Sequence, residues 1–236
     1  MSRIIVVIGY SGTGKTFSLK GLAKADVNLI SPTGKEMPFK SDIKVVKTDL
    51  ESLPTVALAA PAPMVVIDDT NQFFTLDQCK HALDKDQFFV FKSIANTFNI
   101  LIEKIVSKPT DQNYYFFFHI ETDDTGHRNA KTTGKFIRDN LQPESLTNIV
   151  LEAIYDDTEG ELKDRYKFAV HKLEGSSPVK TPEDMFQSDM IPNHLKTVDD
   201  TIRAYYKPTQ TFKSGTTKVP GGKVVVNNSK ITEETK

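Results

Sequence analysis

The chain has 236 residues, of which 38% are hydrophobic and 26% charged, as is usual for soluble globular proteins. A formal net charge of -1 excludes a polycation that binds nucleic acid through its overall field, so such binding requires a local patch. A single cysteine, Cys79, excludes an internal disulfide framework and fits a reducing cytoplasm. No run approaches the roughly 20 apolar residues of a membrane span, and the amino terminus shows no signal-peptide pattern. We therefore expect a cytoplasmic protein with no membrane partner.

The first third of the chain alternates apolar strands with a helix. Residues 4–8 form a β-branched run, which is typical of a strand buried on both faces of a parallel sheet. A glycine-rich turn follows, and after it a helix of about two to three turns is predicted. Its residues Leu19, Leu22 and Ala23 are expected to face the core. Three further runs predict strands, at residues 27–30, 44–47 and 64–67.

The middle of the chain adds the clearest helix and an antiparallel pair. From 89 to 107 apolar residues recur at steps of three and four, which predicts an amphipathic helix. An aromatic strand at 114–118 and a polar loop at 122–133 follow. Residues 149–155 and 165–170 alternate around a turn and predict two antiparallel strands. Together these patterns predict an α/β fold whose mainly parallel central sheet is flanked by helices and extended at one edge by the antiparallel pair.

The composition changes after a last predicted helix, which carries Leu195, Val198 and Ile202 on one face. From residue 207 onward the chain holds six lysines and two glutamates, a net charge of +4 (6 - 2). That leaves -5 (-1 - 4) for the rest of the chain. We therefore predict one α/β domain at 1–206 and a basic, disordered tail at 207–236.

The turn after the first strand carries a phosphate-binding motif. The pattern G-x-x-x-x-G-K-[ST] is matched at every fixed position by Gly9, Tyr10, Ser11, Gly12, Thr13, Gly14, Lys15 and Thr16. The glycines let successive N–H groups point at a phosphate, and the predicted helix adds its positive end. On this exposed loop Lys15 supplies a charge for the outer phosphates, and the Thr16 hydroxyl can bind Mg²⁺. We therefore assign these residues and the adjoining Phe17 to ATP with Mg²⁺.

Polar residues follow two of the apolar strands. Asp68 ends one of them, where a carboxylate can hold Mg²⁺ through water. Asp69 can either orient the attacking water or cap the segment that follows. His119 and Glu121 end the other strand, and either contact the γ-phosphate or form a solvated strand end. The assigned catalytic residues are Lys15, Asp69, His119 and Glu121, and the assigned metal ligands are Thr16 and Asp68.

Five segments carry a resemblance to a known class of ATPase, namely residues 9–16, 65–68, 116–121, 133–135 and 179–186. The chain resembles the small phage nucleotide-binding proteins of the RecA-like, AAA-type P-loop ATPase class, which are found in recombination gene clusters. Some of these act as single-strand annealing proteins built on a bare RecA core. The similarity runs from about Ile4 to Tyr206. The first segment is specific for P-loop NTPases in general, and the later ones point to this class.

The resemblance implies a RecA-like fold and further roles for the site residues. Asp68 would hold the metal, His119 would occupy the sensor position, and the loop at 122–135 would face DNA. Enzymes of the RecA type also carry a catalytic glutamate between the two nucleotide motifs. This chain offers only Glu36, Asp49 and Glu51 there, and none is clearly placed. Hydrolysis is then slow, or it uses the predicted Asp69 or Glu121.

Three functions follow from these patterns, and the leading one is an ATP-binding, ATP-hydrolysing protein of phage DNA recombination or replication. It would bind single-stranded DNA through His127, Arg128, Lys131 and Lys135 of the 122–135 loop, through the basic tail, or through both. A homo-oligomer is expected, with Lys172 or Lys180 reaching a neighbour's nucleotide or simply solvated. The alternatives are a small-molecule kinase, which needs an arginine-rich lid that five scattered arginines do not predict, and a nucleotide-gated interaction protein with little turnover.

Overall fold

A mixed sheet forms the frame of the protein, and a computed structural model describes residues 1–173, 177–207, 215–218 and 224–227. Within these residues nine strands share one sheet. They are β1 (Arg3–Gly9), β2 (Val27–Ser31), β3 (Val45–Lys47), β4 (Met64–Ile67), β5 (Asn113–Thr122), β6 (Arg128–Ala130), β7 (Val150–Tyr155), β8 (Tyr166–Ala169) and β9 (Met190–Pro192). The order is β3-β2-β4-β5-β1-β7-β8-β9, and β6 pairs with the end of β5.

Most of the sheet is parallel, and antiparallel strands extend one edge. β1 lies between β5 and β7 and is parallel to both, while β4, β2 and β3 continue on the side of β5. On the other side, β8 and β9 run antiparallel to their neighbours. The predicted α/β fold with a mainly parallel sheet and an antiparallel edge is therefore confirmed. The predicted pair corresponds to β7 and β8, although β7 also pairs with β1.

The central strand β1 is apolar at every position from Ile4 to Ile8 because helices or loops cover both faces of the sheet. Alternate side chains enter two separate cores, with Val6 in one and Ile5 and Val7 in the other. Full burial of such a side chain contributes roughly 1.5–3 kcal/mol. The strand therefore gives the loop that follows it a rigid base.

Helices cover both faces of this sheet, and five α-helices lie within the described segments. They are α1 (Leu53–Ala59), α2 (Thr70–Lys80), α3 (Gln87–Ser107), α4 (Gly134–Leu141) and α5 (Leu195–Tyr205). The first four pack on the face that contains Val6, and α5 packs on the opposite face. The predicted amphipathic helix is α3, which begins where the Asp86 carboxylate accepts the N–H of Phe89. Among the described residues, no helix has the length and apolarity needed to cross a bilayer.

The helix predicted after the glycine-rich turn is wrong in length. A single 3₁₀ turn, Thr16–Leu19, is followed by extended backbone at Lys20 (φ -60°, ψ 129°). A second turn replaces further helix, because the Asp26 carboxylate accepts the N–H of Ala23 at 3.1 Å and the Asp26 N–H donates back to the Ala23 carbonyl at 2.9 Å. Ala23, which was predicted to face the core, is therefore exposed. The positive end of a long helix is likewise missing from the phosphate loop.

The polar loop predicted at 122–133 is wrong in part, because it contains β6. The strand β5 continues to Thr122, and β6 returns antiparallel to it, so the segment is a β-hairpin. One Asp123 oxygen accepts the backbone N–H groups of Thr125 (3.0 Å) and His127 (2.9 Å), which stabilises the tip. A strand of three polar and small residues has no apolar alternation, so the pattern of the sequence did not reveal it.

The basic tail predicted at 207–236 lies mostly outside the described residues. Its two described segments, β10 (Gly215–Lys218) and β11 (Val224–Asn227), pair with each other as antiparallel strands. Disorder of this tail as a whole therefore stays a prediction, with a short hairpin as the described exception.

Candidate nucleotide-binding site

The carboxyl ends of β1, β4 and β5 meet at one edge of the sheet. β5 lies between the other two strands, and Gly9 at the end of β1 is aligned with His119 on β5. Asp68 follows β4 directly. Parallel strands place their carboxyl ends on the same side, so the phosphate-binding motif, the acid and the histidine come together from distant parts of the sequence.

Two glycines of the loop are required by close contacts. Gly14 has a φ of 93°, and a Cβ at this position would lie 2.6 Å from the ring of Tyr166. Gly9 is equally confined, since a Cβ there would lie 2.6 Å from the Thr13 hydroxyl and 2.9 Å from the Ala153 carbonyl oxygen. The backbone can therefore follow this tight path only without side chains at both positions.

The loop presents hydrogen-bond donors that its own chain does not use. In the described part of the protein, no acceptor pairs with the backbone N–H groups of Gly12, Gly14 and Lys15. The Thr13 N–H between them donates to the Tyr10 carbonyl oxygen at 3.4 Å, which tightens the loop. Free N–H groups clustered in a tight loop can form an anion-binding concavity. The loop amides fit the predicted cradle for phosphate, whereas the predicted contribution of a long helix is absent.

Lys15 is buried rather than extended from an exposed loop, with 6% of the residue exposed. Its Nζ donates to the carbonyl oxygens of Gly9 (2.6 Å) and Tyr10 (2.9 Å). Burial lowers the pKa of this amine from 10.5 to about 8, although attraction to Asp68 and Asp69 raises it. The charge of Lys15 is therefore poorly compensated, and an anion in the loop would stabilise it.

A hydrogen bond joins the loop to the end of β4. The Thr16 hydroxyl donates to Asp68 Oδ2 at 2.7 Å, while Asp68 Oδ1 accepts the backbone N–H of Asp69 at 2.9 Å. Burial and the neighbouring Asp69 carboxylate raise the pKa of Asp68, against the hydrogen bond from Thr16. A hydroxyl beside a buried carboxylate provides two hard oxygen ligands, the kind that Mg²⁺ prefers.

Asp69 begins α2 in a left-handed conformation (φ 51°, ψ 42°), which is strained for a residue with a side chain. Its side chain does not cap the helix, which was one of the two alternatives predicted for it. The carboxylate instead contacts His119 Nε2 at 3.2 Å and Lys35 Nζ at 3.1 Å. Hydrogen bonds from His119 and Lys35 lower the pKa of Asp69 to about 2, although burial opposes the shift. Asp69 therefore stays ionised and holds His119 in place.

These residues line a cleft with a volume of about 490 Å³, a size that suits a nucleotide. The polar residues of the lining include Lys15, Thr16, Lys35, Asp68, Asp69 and His119. Its apolar residues include Phe17, Leu29, Met37, Pro38, Val45 and Tyr166. A cleft lined by both charged and apolar side chains suits a molecule that carries phosphates on a nucleoside.

The predicted catalytic residues are not all in the cleft. Glu121 lies two residues beyond His119 on β5 and is not among the residues that line the cleft. Glu36, which the sequence left without a clear place, does line it. Asp49 lies elsewhere, where its carboxylate accepts the N–H of Ser52 at 2.9 Å near the start of α1. The cleft thus favours Glu36 over the other acids between the two nucleotide motifs.

Three site residues were missed by the sequence reasoning. Lys35 reaches Asp69 from the β2–β3 connection, and Tyr166 packs its ring on Phe17 with 4.9 Å between centroids. Asn71 Oδ1 accepts the backbone N–H of His119 at 3.2 Å and so fixes the end of β5. The polar run directly after β4 was a signal for Asn71, whereas Lys35 and Tyr166 have no local signal.

The residues present fit a magnesium-bound triphosphate. Free loop amides and a poorly compensated amine suit phosphate oxygens, and Thr16 and Asp68 suit a hard cation. Over the described ranges, no three His, Cys, Asp or Glu side chains converge as a metal site by themselves. A cation held by Thr16 and Asp68 would therefore take its other ligands from phosphate and water.

Comparison with known proteins gives matches in fold and none in sequence. No protein family and no curated protein sequence matches the chain. Among solved structures the fold is similar to that of a DnaB-like replicative helicase, described together with its interactions with primase. The TM-score is 0.41 and the sequence identity 13%, over 70% of this chain and 51% of the helicase chain. The protein thus spans about half the length of that chain, and the likeness concerns fold alone.

The hairpin of β5 and β6 engages one of the cations predicted to contact DNA. Arg128 Nη1 donates to the buried Glu152 carboxylate on β7 at 2.8 Å, and Ser177 Oγ donates to the other oxygen at 3.2 Å. Arg128 is therefore directed into the protein, contrary to the predicted DNA contact. His127 and Lys131 are exposed, and the backbone of Lys135 lies in the first turn of α4.

The hairpin is also bonded to the nucleotide cleft at two points. The Tyr10 hydroxyl of the phosphate loop lies 2.9 Å from the Thr122 hydroxyl. The backbone N–H of Lys131 donates to the carbonyl oxygen of His119 at 2.7 Å. A displacement of Tyr10 or His119 would therefore change the position of the hairpin directly.

Proposed function

We propose that the protein binds ATP with Mg²⁺ in this cleft, hydrolyses it, and acts on single-stranded DNA in phage recombination or replication. The observation that carries the proposal is the 2.7 Å bond between Thr16 and Asp68, which sets two oxygen ligands beside the phosphate loop. Hydrolysis of a triphosphate in P-loop enzymes depends on positioning and on neutralising charge rather than on covalent chemistry. The cleft contains the groups for both tasks. The resemblance of the sequence to RecA-like phage ATPases supports the DNA-related part.

The polar residues of the cleft would then have separate parts in ATP hydrolysis. Lys15 and the loop amides bind the outer phosphates, and Thr16 and Asp68 hold the cation, which neutralises charge that develops on the phosphates. A carboxylate with a pKa of about 2 accepts protons poorly at neutral pH, so Asp69 orients His119 toward the terminal phosphate. Glu36 lines the cleft as an exposed carboxylate, and we assign it the orientation of the attacking water.

The hairpin provides a route from the nucleotide to DNA. Its bonds to Tyr10 and to the His119 carbonyl change if the terminal phosphate moves either residue. The exposed Lys131 and His127 would then be presented to phosphates of single-stranded DNA in one nucleotide state and withdrawn in the other. The basic tail from residue 207 is a second source of phosphate contacts.

The protein is also proposed to assemble as a homo-oligomer in which a neighbour completes the cleft. Lys172 and Lys180 are exposed beyond β8, where a cation could reach a nucleotide on the adjoining protomer. Two solvated lysines are the alternative. Light scattering with a non-hydrolysable ATP analogue and DNA tests the assembly, and a protein that stays monomeric at all concentrations rules it out.

Phosphate release, measured with and without a single-stranded oligonucleotide, tests the proposed function. We expect magnesium-dependent release that the oligonucleotide stimulates, and its loss in Lys15→Ala. Lys24→Ala, an exposed lysine of the same segment, is the matched control and should behave as wild type. Glu36→Gln should slow release while leaving ATP binding in place.

The same assay separates the competing functions. Release that requires a small-molecule acceptor would indicate a kinase, and binding without release would indicate a nucleotide-gated interaction protein. The kinase is disfavoured because none of the five arginines is among the residues that line the cleft.

A further inference from the structure

A buried side-chain amide lies beside the phosphate loop without partners. Asn193 follows β9, and neither its Oδ1 nor its Nδ2 atom has a hydrogen-bond partner among the residues that the structure describes, although both atoms are buried. A primary amide can accept and donate at once. Burying one unpaired destabilises a fold, so an unpaired amide at this place indicates a partner that arrives with a ligand.

Asn193 is held against the loop by its backbone and by Tyr166. Its N–H donates to the Tyr166 carbonyl oxygen at 3.2 Å. A Cβ at Gly14 would lie 3.3 Å from Asn193 Nδ2 and 2.6 Å from the Tyr166 ring, so both side chains cover the same loop residue. The Tyr166 ring packs on Phe17 with 33° between the ring planes, and both rings line the cleft. Phe17, Tyr166 and Asn193 thus form one cluster, here named the aromatic–amide cluster.

The aromatic–amide cluster lies on the opposite side of β1 from the metal ligand of β4. Asp68 and His119 come from β4 and β5, on one side of β1, whereas Tyr166 and Asn193 come from β8 and the end of β9, on the other. Phe17 directly follows Thr16 in the chain, so a triphosphate held at Thr16 and Asp68 can place its nucleoside against Phe17 and Tyr166, which both line the cleft. Aromatic faces stack well on bases, and an amide can read the edge of a base.

We propose that the aromatic–amide cluster is the base subsite of the cleft and that the Asn193 amide selects adenine. The inference rests on the proposed ATP binding and names the residue that gives it base specificity. Phe17 and Tyr166 provide the stacking surface, and rotation of the Tyr166 ring away from Gly14 opens the amide to the base. Oδ1 then accepts from the amino group of adenine while Nδ2 donates to a neighbouring ring nitrogen.

Asn193→Asp tests the inference because it keeps the shape of the side chain and removes its donor. A carboxylate only accepts hydrogen bonds, so it matches the two adjacent N–H donors of guanine and not the donor–acceptor edge of adenine. We expect wild type to prefer ATP, and Asn193→Asp to shift the ratio of ATP to GTP affinity toward GTP by roughly 10- to 100-fold. The added charge weakens both nucleotides alike, so their ratio is the measured quantity. Asn193→Ala should bring that ratio close to one.

Calorimetric titration with the magnesium complexes of ATP, GTP and inorganic triphosphate gives these affinities. Asn148→Asp, an exposed residue just before β7, adds the same charge far from the cleft and should leave the ratio unchanged. An unchanged ratio in Asn193→Asp, or a wild-type ratio near one, overturns the base subsite while ATP binding stands. Failure of wild type to bind any of the three ligands overturns the proposed function itself.

A second measurement needs no variant and so does not depend on the folding of a mutant. N6,N6-dimethyl-ATP keeps the triphosphate and the ring nitrogens but has no amino donor. We expect it to bind wild type roughly tenfold more weakly than ATP, since one hydrogen bond to the amide is lost. Equal affinity of the two nucleotides overturns the role of Asn193.

Discussion

Two polar clusters lie at opposite edges of the same parallel strands, and their hydrogen bonding differs. At the amino edge the buried Asp199 accepts from the Tyr115 hydroxyl (2.8 Å), the Asn113 amide (2.7 Å) and Arg203 Nε (2.6 Å). Arg203 also donates to the Pro63 carbonyl oxygen at 2.8 Å. Each group of this cluster meets a partner within the protein, so the cluster locks α5 to the sheet.

At the carboxyl edge some buried polar groups are less completely paired. Among the described residues, the hydrogen-bond partners of the Lys15 amine are two backbone carbonyls, and burial lowers the pKa of this amine. Burial also raises the pKa of Asp68. The amide of Asn193 has no partner in the described part of the chain. The first cluster therefore stabilises the fold, whereas a ligand in the cleft could supply the partners that Lys15 and Asn193 lack.

The largest expected effect is a loss of stability when Asp199, at the amino ends of the parallel strands, is replaced. Asp199→Ala leaves Arg203 and Tyr115 without their buried partner, and we expect a loss of about 3–5 kcal/mol in the free energy of unfolding. Asp200→Ala, the next residue of α5, removes only an exposed pair with Lys196 and should cost about 0.5 kcal/mol or less. Urea denaturation measures both. Equal losses would break the distinction between the two edges.

Asp68→Asn is the corresponding change at the carboxyl ends of the strands. It should lower nucleotide affinity without lowering the free energy of unfolding. Burial and Asp69 raise the pKa of Asp68, so a neutral amide relieves a destabilised charge and the free energy of unfolding should hold or rise. Nucleotide affinity in the presence of Mg²⁺ should fall at least about tenfold, since the proposed metal ligand is lost. Equal loss of binding with and without Mg²⁺ would contradict the metal role.

The pKa of Lys15 predicts a pH dependence of binding. Free Lys15 loses its proton near pH 8, and a bound triphosphate raises its pKa, so affinity should fall about tenfold per pH unit above pH 8. Between about pH 8 and 10.5 and without ligand, Lys15 is protonated in the unfolded state and largely neutral in the folded state. The contribution of Lys15 to the free energy of unfolding therefore increases with pH over this range.

Lys15→Arg is the control for this titration, because a guanidinium stays charged over the whole range. Any binding that this variant retains should vary little between pH 7 and pH 9. A wild-type affinity that is flat over the same range would show that the Lys15 charge does not face the phosphates.

The smallest expected effect is on DNA binding by the hairpin, where Lys131 is exposed and Arg128 pairs with Glu152. Lys131→Gln should reduce the salt dependence of single-stranded DNA binding by about 0.7 in log–log slope, since one phosphate contact is lost. Arg128→Gln should leave that slope unchanged and instead lower stability, because Arg128 pairs with Glu152. Fluorescence anisotropy of a labelled oligonucleotide measures the slope. Deletion of residues 208–236 shows the share of the tail, and loss of binding only on that deletion would move the DNA site there.

The features that could be predicted from the sequence are those formed by one short segment of the chain. The motif from Gly9 to Thr16 and the apolar strand before Asp68 each occupy one short segment, so pattern and chemistry were visible together. Strand alternation also indicated the parallel sheet and its antiparallel edge. Tyr166 was placed only within a predicted strand, because its contact with Gly14 depends on the order of the strands in the sheet.

Other features could not be predicted because they depend on hydrogen bonds of single polar residues. The burial of Lys15 depends on how the loop folds back on the carbonyl groups of Gly9 and Tyr10. The turn at Ala23 and Asp26, which limits the helix after the loop, has a helix-compatible composition. The role of Arg128 depends on a partner on β7, which lies across the sheet from the hairpin. Long-range contacts of single polar residues leave no periodic trace in a sequence.

At the carboxyl edge, Lys15 is proposed to bind a magnesium-bound triphosphate. Thermal melts with ATP and Mg²⁺ at about 100 times Kd test it most directly. Wild type and Lys24→Ala should both gain about 2.7 kcal/mol, or roughly 5 to 10 °C in Tm, whereas Lys15→Ala should melt without a shift. A shift that survives in Lys15→Ala, or no shift in wild type, would show that Lys15 does not bind the triphosphate in this cleft.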